Sequence, residues 1–141
     1  MAVTAPSRSD VVLGDAARAA LAHAYAPYSK FRVGAALLTE RGNVFVGCNV
    51  ENASYSVSLC AERTAIVNAV VAEGPDVRIK RLLIVVQTGE IAAPCGACRQ
   101  FIHEFGGDAE VVLVGEHEEL ELTMAELLPY PFGPEDLPPS S

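Results

Sequence analysis

No stretch of the chain reaches the roughly eighteen uninterrupted apolar residues that a membrane span requires. The first twenty residues carry no apolar segment behind a basic start. Neither membrane insertion nor export is indicated, and a cytoplasmic protein is expected. Basic residues are scarce as well, with 10 Lys and Arg against 18 Asp and Glu and a net charge of -8. No run of Lys or Arg makes a local exception, so the chain repels phosphate backbones and nucleic acid is not an expected partner. Charged residues amount to only 20% while half the residues are apolar, which excludes the disordered regime. The apolar surplus points to buried subunit interfaces. No internal repeat is present.

With 141 residues the chain fits a single domain, 1–141, able to bury roughly 68% of its unfolded surface. Residues 1–8, small and polar around Pro6, and residues 137–141 are expected to be mobile ends. Four cysteines, Cys48, Cys60, Cys95 and Cys98, stand in a chain without a secretion signal. That context lowers the odds of a disulfide framework and favours metal or redox chemistry.

Along the chain, Ser9 and Asp10 are expected to cap a helix through Ala-rich sequence to about Tyr25, which Pro27 ends. Arg32 to Thr39 and Val44 to Val50 are strand-like runs joined by the turn Glu40-Arg41-Gly42-Asn43, a hairpin pattern. A polar loop from Asn49 to Leu59 follows. Cys60 to Glu73 reads as a well-buried helix, stopped by Gly74-Pro75-Asp76. Leu82 to Val86 is a continuous apolar run with β-branched residues, as in a central strand covered on both faces. A third helix opens at Cys95 and closes at Gly106-Gly107, before a strand over Val111 to Val114. Leu120 and Leu122 alternate with glutamates as in a half-exposed edge strand, and Thr123 with Glu126 has capping-box spacing for a short last helix. Beyond Pro129 the chain is Pro-rich and irregular. This order gives an α/β fold, with helices covering a mixed sheet. Ligands in such sheets sit where loops leave strands and helices begin.

Cys95 and Cys98 stand three apart at a helix start, so both sulfurs share one face, and Cys60 opens a second helix. The two helix starts are expected to converge on one zinc ion. Three protein ligands leave the fourth tetrahedral position to water, the mark of a catalytic zinc site. Glu62, two residues beyond Cys60, is placed to move that water's protons without binding the metal. Three thiolates and a dication carry a net charge near minus one, which two helix N-termini and Arg63 are expected to offset. A Cys or His ligand, then Glu, then Pro-Cys-x-x-Cys is the signature of zinc deaminases. Cys95 and Cys98 alone also describe a thioredoxin-type redox pair, which leaves Cys60-Ala61-Glu62 unexplained. A structural zinc site would need a fourth ligand from Cys48 or a histidine. Cys48 reads better as a small buried hydrophobe, and His23, His103 and His117 as packed or surface residues.

With Cys60-Ala61-Glu62-Arg63 and Pro94-Cys95-Gly96-Ala97-Cys98-Arg99-Gln100 in view, the chain resembles the small cytidine deaminases of pyrimidine salvage. Ala26-Pro27-Tyr28-Ser29-Lys30-Phe31-Arg32-Val33-Gly34-Ala35-Ala36 is similar to the family's opening segment. Asn49-Val50-Glu51-Asn52-Ala53-Ser54-Tyr55 is similar to its nucleoside-binding segment, so the likeness covers roughly residues 10–132. The resemblance implies a three-layer α/β/α fold with a five-stranded mixed sheet and one zinc per chain. It implies hydrolysis of cytidine and deoxycytidine to uridine and deoxyuridine with release of ammonia. Glu62 would then hold N3 protonated and deliver a proton to the leaving amine. The backbone of Ala61 and a carbonyl near Pro94 would hold the base. Phe31 would line the pyrimidine pocket, and Asn49 with Glu51 would grip a ribose hydroxyl. The resemblance further implies a homotetramer with shared active sites, in which Tyr55 and Phe132 reach across subunits. A relative that deaminates a cytosine-bearing antibiotic shares the Cys-type motif and stays open as a rival substrate assignment.

Overall fold

The computed structural model describes residues 8–87 and 89–139. The expected mobile ends fall largely outside these residues. Helix α1 spans Arg8–Leu21, followed by the hairpin strands β1 (Val33–Thr39) and β2 (Val44–Cys48). Helix α2 (Ala61–Glu73), strand β3 (Ile79–Val86), helix α3 (Gly96–Phe105), strands β4 (Glu110–Val114) and β5 (Glu119–Thr123), and helix α4 (Met124–Leu127) complete the order. The strands form one sheet in the order β2-β1-β3-β4-β5. Only the β3–β4 pair is parallel; β1–β2, β1–β3 and β4–β5 are antiparallel. The result is the five-stranded mixed sheet between helical layers that the sequence led one to expect.

Alternation along the strands builds two cores. Leu82 and Ile84 of β3, with Val111 and Leu113 of β4, face one side and pack with Ala65, Ile66 and Ala69 of α2 and Ile102 of α3. Leu83, Val85, Val112 and Val114 face the other side, where α1 lays down Leu13, Ala17 and Leu21 at helical spacing. Strand β3 is thus central and covered on both faces. Two glycines set how close the helices come. A Cβ on Gly34 of β1 would fall 2.1 Å from the Ala17 carbonyl, and one on Gly47 of β2 would fall 2.4 Å from the Ala61 carbonyl. Only a bare backbone admits α1 and α2 at that distance.

Helix α1 is described from Arg8 onward, so Ser9 and Asp10 lie within it rather than ahead of it. It also ends earlier than expected, at Leu21, because His23 and Ala24 bond the carbonyls three residues back and Tyr25 is drawn into a bridge with Val50. The segment after β2 is closed upon itself: Val50 and Leu59 exchange two backbone hydrogen bonds of 2.9 and 2.8 Å around a 3-10 turn at Tyr55–Val57. That closure brings Cys60 back beside the end of β2. The expected stops hold, with Gly74 at φ 88° ending α2 and Gly106 capping α3. The capping box of Thr123 and Glu126 is present. Helix α2 differs in one respect from the well-buried helix expected. Its outer face leaves Val67 49% and Val71 82% exposed, with no described residue covering that side.

Candidate metal centre and adjoining pocket

Both helix starts deliver a cysteine at the N-cap position, Cys60 ahead of α2 and Cys95 ahead of α3, with Cys98 in the first turn of α3. Their sulfurs all lie within 4.8 Å of one another. The sulfurs of Cys95 and Cys98 are 3.2 Å apart, well beyond the roughly 2.05 Å of a disulfide, and all four cysteines are free. Cys48 is not in the cluster and is half-buried rather than the fully buried side chain expected, and among the described residues no histidine joins it.

The charge compensation differs between the two helices. At α3 the Cys98 amide donates to the Cys95 sulfur (3.4 Å), as expected. At α2 no amide caps Cys60. Arg63, one turn on, does this instead, its Nη2 donating to the Cys60 sulfur at 3.5 Å and to the Ser58 carbonyl at 3.3 Å. The Cys60 thiol pKa falls to about 5 through its hydrogen bond with Cys98, aided by Arg63, while that of Cys98 is pushed up by that same bond and by burial. Three adjacent thiolates in one cluster would repel one another. A soft divalent ion removes that conflict. Three sulfur donors at these separations fit tetrahedral zinc, whose thiolate ligands stand about 3.8 Å apart when each bond is about 2.3 Å.

Beside the cluster opens a pocket of about 260 Å³. Cys60, Ala61, Glu62, Pro94 and Cys95 line it together with Phe31, Asn49 and Glu51 and with Ile84 from the core. Glu62 is 5% exposed. Burial raises its carboxyl pKa, and the Cys60 charge adds to the effect, against the lowering influence of Cys98 and Arg63. A carboxyl so poised exchanges protons nearer neutrality than a solvated one.

Asn49 and Glu51 are held in the lining by hydrogen bonds to backbone. Asn49 accepts from the Val33 amide (2.9 Å) and donates to the Phe31 carbonyl (2.7 Å). Glu51 accepts from the amides of Tyr28 (3.0 Å) and Ser29 (3.1 Å) and from the Ser29 hydroxyl. The Ser29 hydroxyl, foremost, lowers the Glu51 pKa. These bonds hold Lys30 at φ 61°, a left-handed turn that delivers Phe31 to the pocket.

Phe31, Asn49, Glu51, Ala61 and Glu62 are therefore brought together with the three cysteines. Tyr55 and Phe132 are not: they are 70% and 58% exposed, and neither lines the pocket of its own chain. Tyr55 instead meets Tyr28 edge-on at 5.8 Å. The Pro94 carbonyl, close to the carbonyl expected to hold a base, accepts a hydrogen bond from Arg99 Nε at 2.7 Å. Sequence reasoning missed Ser29, Thr64 and Arg99. The Thr64 hydroxyl meets the carbonyls of Cys48 and Ala61, each at 2.9 Å, and so ties α2 to β2. Ser29 and Arg99 stood inside the recognised segments, where their hydrogen-bonding types were the available signal.

Comparison with known proteins agrees with this geometry. Residues 8–115 match the family model of the cytidine and deoxycytidylate deaminase zinc-binding region, a span that includes all three cysteines. A cytidine deaminase of Sporosarcina psychrophila is 51% identical over 117 residues, covering 81% of this chain and 84% of that protein. One of Mycobacterium tuberculosis is 43% identical over 129 residues, covering 92% of each. The crystal structure of cytidine deaminase from Burkholderia pseudomallei superimposes with a TM-score of 0.79 at 46% identity, covering 86% of this chain and 98% of that one. Sequence, fold and the thiol cluster thus converge, and the chain belongs to the cytidine and deoxycytidylate deaminase family, zinc-binding cysteines included.

Proposed function

We propose that the chain hydrolyses cytidine and deoxycytidine to uridine and deoxyuridine, releasing ammonia, as a salvage enzyme for pyrimidine nucleosides. The observation that carries this reading is a buried carboxyl, Glu62, between a three-thiol cluster and a pocket walled by Phe31, Asn49 and Glu51. Cys60, Cys95 and Cys98 would hold zinc, with Arg63 offsetting their charge. Zinc, when bound, supplies a Lewis acid that makes water nucleophilic near neutral pH. Water adds at C4 of the ring, so a C4–O bond forms and the C4–N bond breaks. Glu62 takes a proton from that water, protonates N3, and carries a further proton to the departing amine. Ala61, at the first position of α2, has no intrahelical partner for its amide and can donate it to the base. Phe31 packs on the ring, while Asn49 and Glu51 keep acceptor capacity for the ribose.

The reading extends to a homotetramer in which Tyr55 and Phe132 complete the pockets of neighbouring subunits. It is supported by the exposure of both rings and by the uncovered valines of α2. A thiolate site keeps its ligands where thiols stay reduced, which supports a cytoplasmic setting. No helix among the described residues is long and apolar enough to cross a membrane. The test is the ultraviolet change as cytidine becomes uridine in zinc-loaded protein, repeated with deoxycytidine, free cytosine, the nucleotide and a cytosine-bearing antibiotic. Turnover of the two nucleosides and none of cytosine is expected. Turnover of the antibiotic alone would move the assignment to the rival relative, and no turnover at all would sink it.

A further inference from the structure

The helix that carries Cys98 also holds the C-terminal arm. Arg99 Nε donates to the Pro94 carbonyl (2.7 Å), at the pocket wall, and its Nη1 to the Leu127 carbonyl (2.9 Å), where α4 ends. The next residue, Gln100, donates from Nε2 to the Phe132 carbonyl at 2.8 Å. Between those anchors the chain reverses at Tyr130, a non-glycine residue at φ 52°, a conformation that persists only when its surroundings enforce it. Past the second anchor, the Gly133 amide donates to the Asp136 carboxylate at 2.9 Å. The arm is thus held at both ends through its own backbone carbonyls. The rings are left over: Tyr130 is fully exposed and Phe132 more than half. An arm fixed through its backbone presents its side chains in one place at little ordering cost on contact.

We propose that Gln100, with Arg99 beside it, is a positioning residue for substrate binding: it sets where the Phe132 ring is presented, from the same helix that supplies two metal ligands. This rests on the reading of Phe132 as a ring that closes the pocket of a second copy. Arg99 fixes the near end of the arm and Gln100 the far end, so loss of Gln100 alone releases Phe132 while leaving α3, Pro94 and the cysteines in place. Substrate affinity should then fall while the chemical step and the metal stay as they were.

The experiment uses the full-length zinc protein with Gln100→Leu, which keeps the size and removes the donor, and Gln100→Lys, which keeps a donor of similar reach. KM for cytidine is expected to rise about three- to tenfold in Gln100→Leu, the effect of one lost neutral hydrogen bond, and to recover in Gln100→Lys. Turnover number and zinc content should stay within about twofold of the parent by the same reckoning. Because the chain has no Trp, Phe132→Trp gives a single indole reporter of the arm. Its fluorescence anisotropy should drop when Gln100→Leu is added. Unchanged KM and anisotropy in Gln100→Leu would overturn the role of Gln100, as would a joint loss of turnover and zinc that is equal in the Leu and Lys variants. Phe132→Ala separates the layers. An unchanged KM there refutes Phe132 as the closing ring, and the inference with it; a KM raised by Phe132→Ala but not by Gln100→Leu refutes Gln100 alone.

Discussion

A single methyl group at Gly47 tests how far the reactive end of α2 is set by the sheet beneath it. A Cβ at that position falls 2.3 Å from Thr64 Oγ1 and 2.4 Å from both the Ala61 carbonyl and the Ala65 amide. That is about 1 Å inside the ordinary contact distance of about 3.5 Å. Two of the three atoms belong to helix backbone, so no rotamer change relieves the clash and α2 must retreat from β2. Overpacking of this kind costs about 1–3 kcal/mol. At about 3 °C per kcal/mol for a chain of this length, Gly47→Ala should melt roughly 3–10 °C lower. Glu62 and the Cys60 N-cap move with the turn, and a displacement of about 1 Å near reacting atoms costs about a hundredfold in turnover. Gly96→Ala is the control. Gly96 stands between two ligands in the Cys-x-x-Cys motif, yet a Cβ there meets nothing within 4 Å. It should change stability by less than about 0.5 kcal/mol and keep its turnover. Scanning calorimetry, zinc content and the cytidine assay read both variants. A Gly47→Ala protein with parental melting and turnover, or a Gly96→Ala protein that is the worse of the two, would refute the steric argument.

Glu62→Gln should retain zinc and melting temperature while turnover falls about 10²- to 10⁴-fold, the range for removing a general acid-base group; substantial turnover in the zinc-loaded variant would place the proton path elsewhere. Arg63→Gln, by removing the positive charge that Arg63 brings to the Cys60 sulfur, should speed zinc transfer to a chromophoric chelator by about 10- to 100-fold, and an unchanged rate would dismiss its charge role. Arg81 on β3 binds both oxygens of Asp10 on α1 (2.6 and 2.8 Å), Glu121 on β5 (2.6 Å) and Glu110 on β4. The Arg81 bond, foremost, lowers the Glu121 pKa, so its stabilisation is complete above the unfolded carboxylate value of about 4.3 and is lost as pH falls through the lower folded value. Arg81→Met should be destabilised at neutral pH, with the difference from the parent shrinking below about pH 4.3 in urea unfolding; parallel pH profiles would contradict this.

Local signals carried most of the fold. Gly74 and Gly106 stopped helices, the Thr123–Glu126 spacing marked a capping box, and Gly42 at φ 90° closed the hairpin as its turn sequence implied. The cysteine spacing and the two helix starts likewise made the metal cluster and Glu62 legible in the residues alone. What escaped depends on partners distant in sequence. The end of α1 was misjudged because Tyr25 is claimed by Val50, twenty-five residues on. Gly47 carried no mark of its own, since its requirement comes from the helix packed against it. The amide caps expected on both thiolates proved to be one amide and one guanidinium, a choice made by which group reaches the sulfur. Tyr55 and Phe132 do not line the pocket beside the cysteines in their own chain, so their assignment came from family likeness and not from residue chemistry.

The thiol cluster also ties together segments that follow different strands of the sheet. Cys60 follows the edge strand β2, while Cys95 and Cys98 follow the central strand β3, and the two strands are joined only through β1. The three sulfurs therefore meet through the pairing of β1 with both neighbours, a non-local arrangement whose loop-closure entropy the sheet and its two cores offset. Ile84 belongs to such a core and also lines the pocket. The residues that would hold zinc and the pocket beside them thus stand on the same sheet and core.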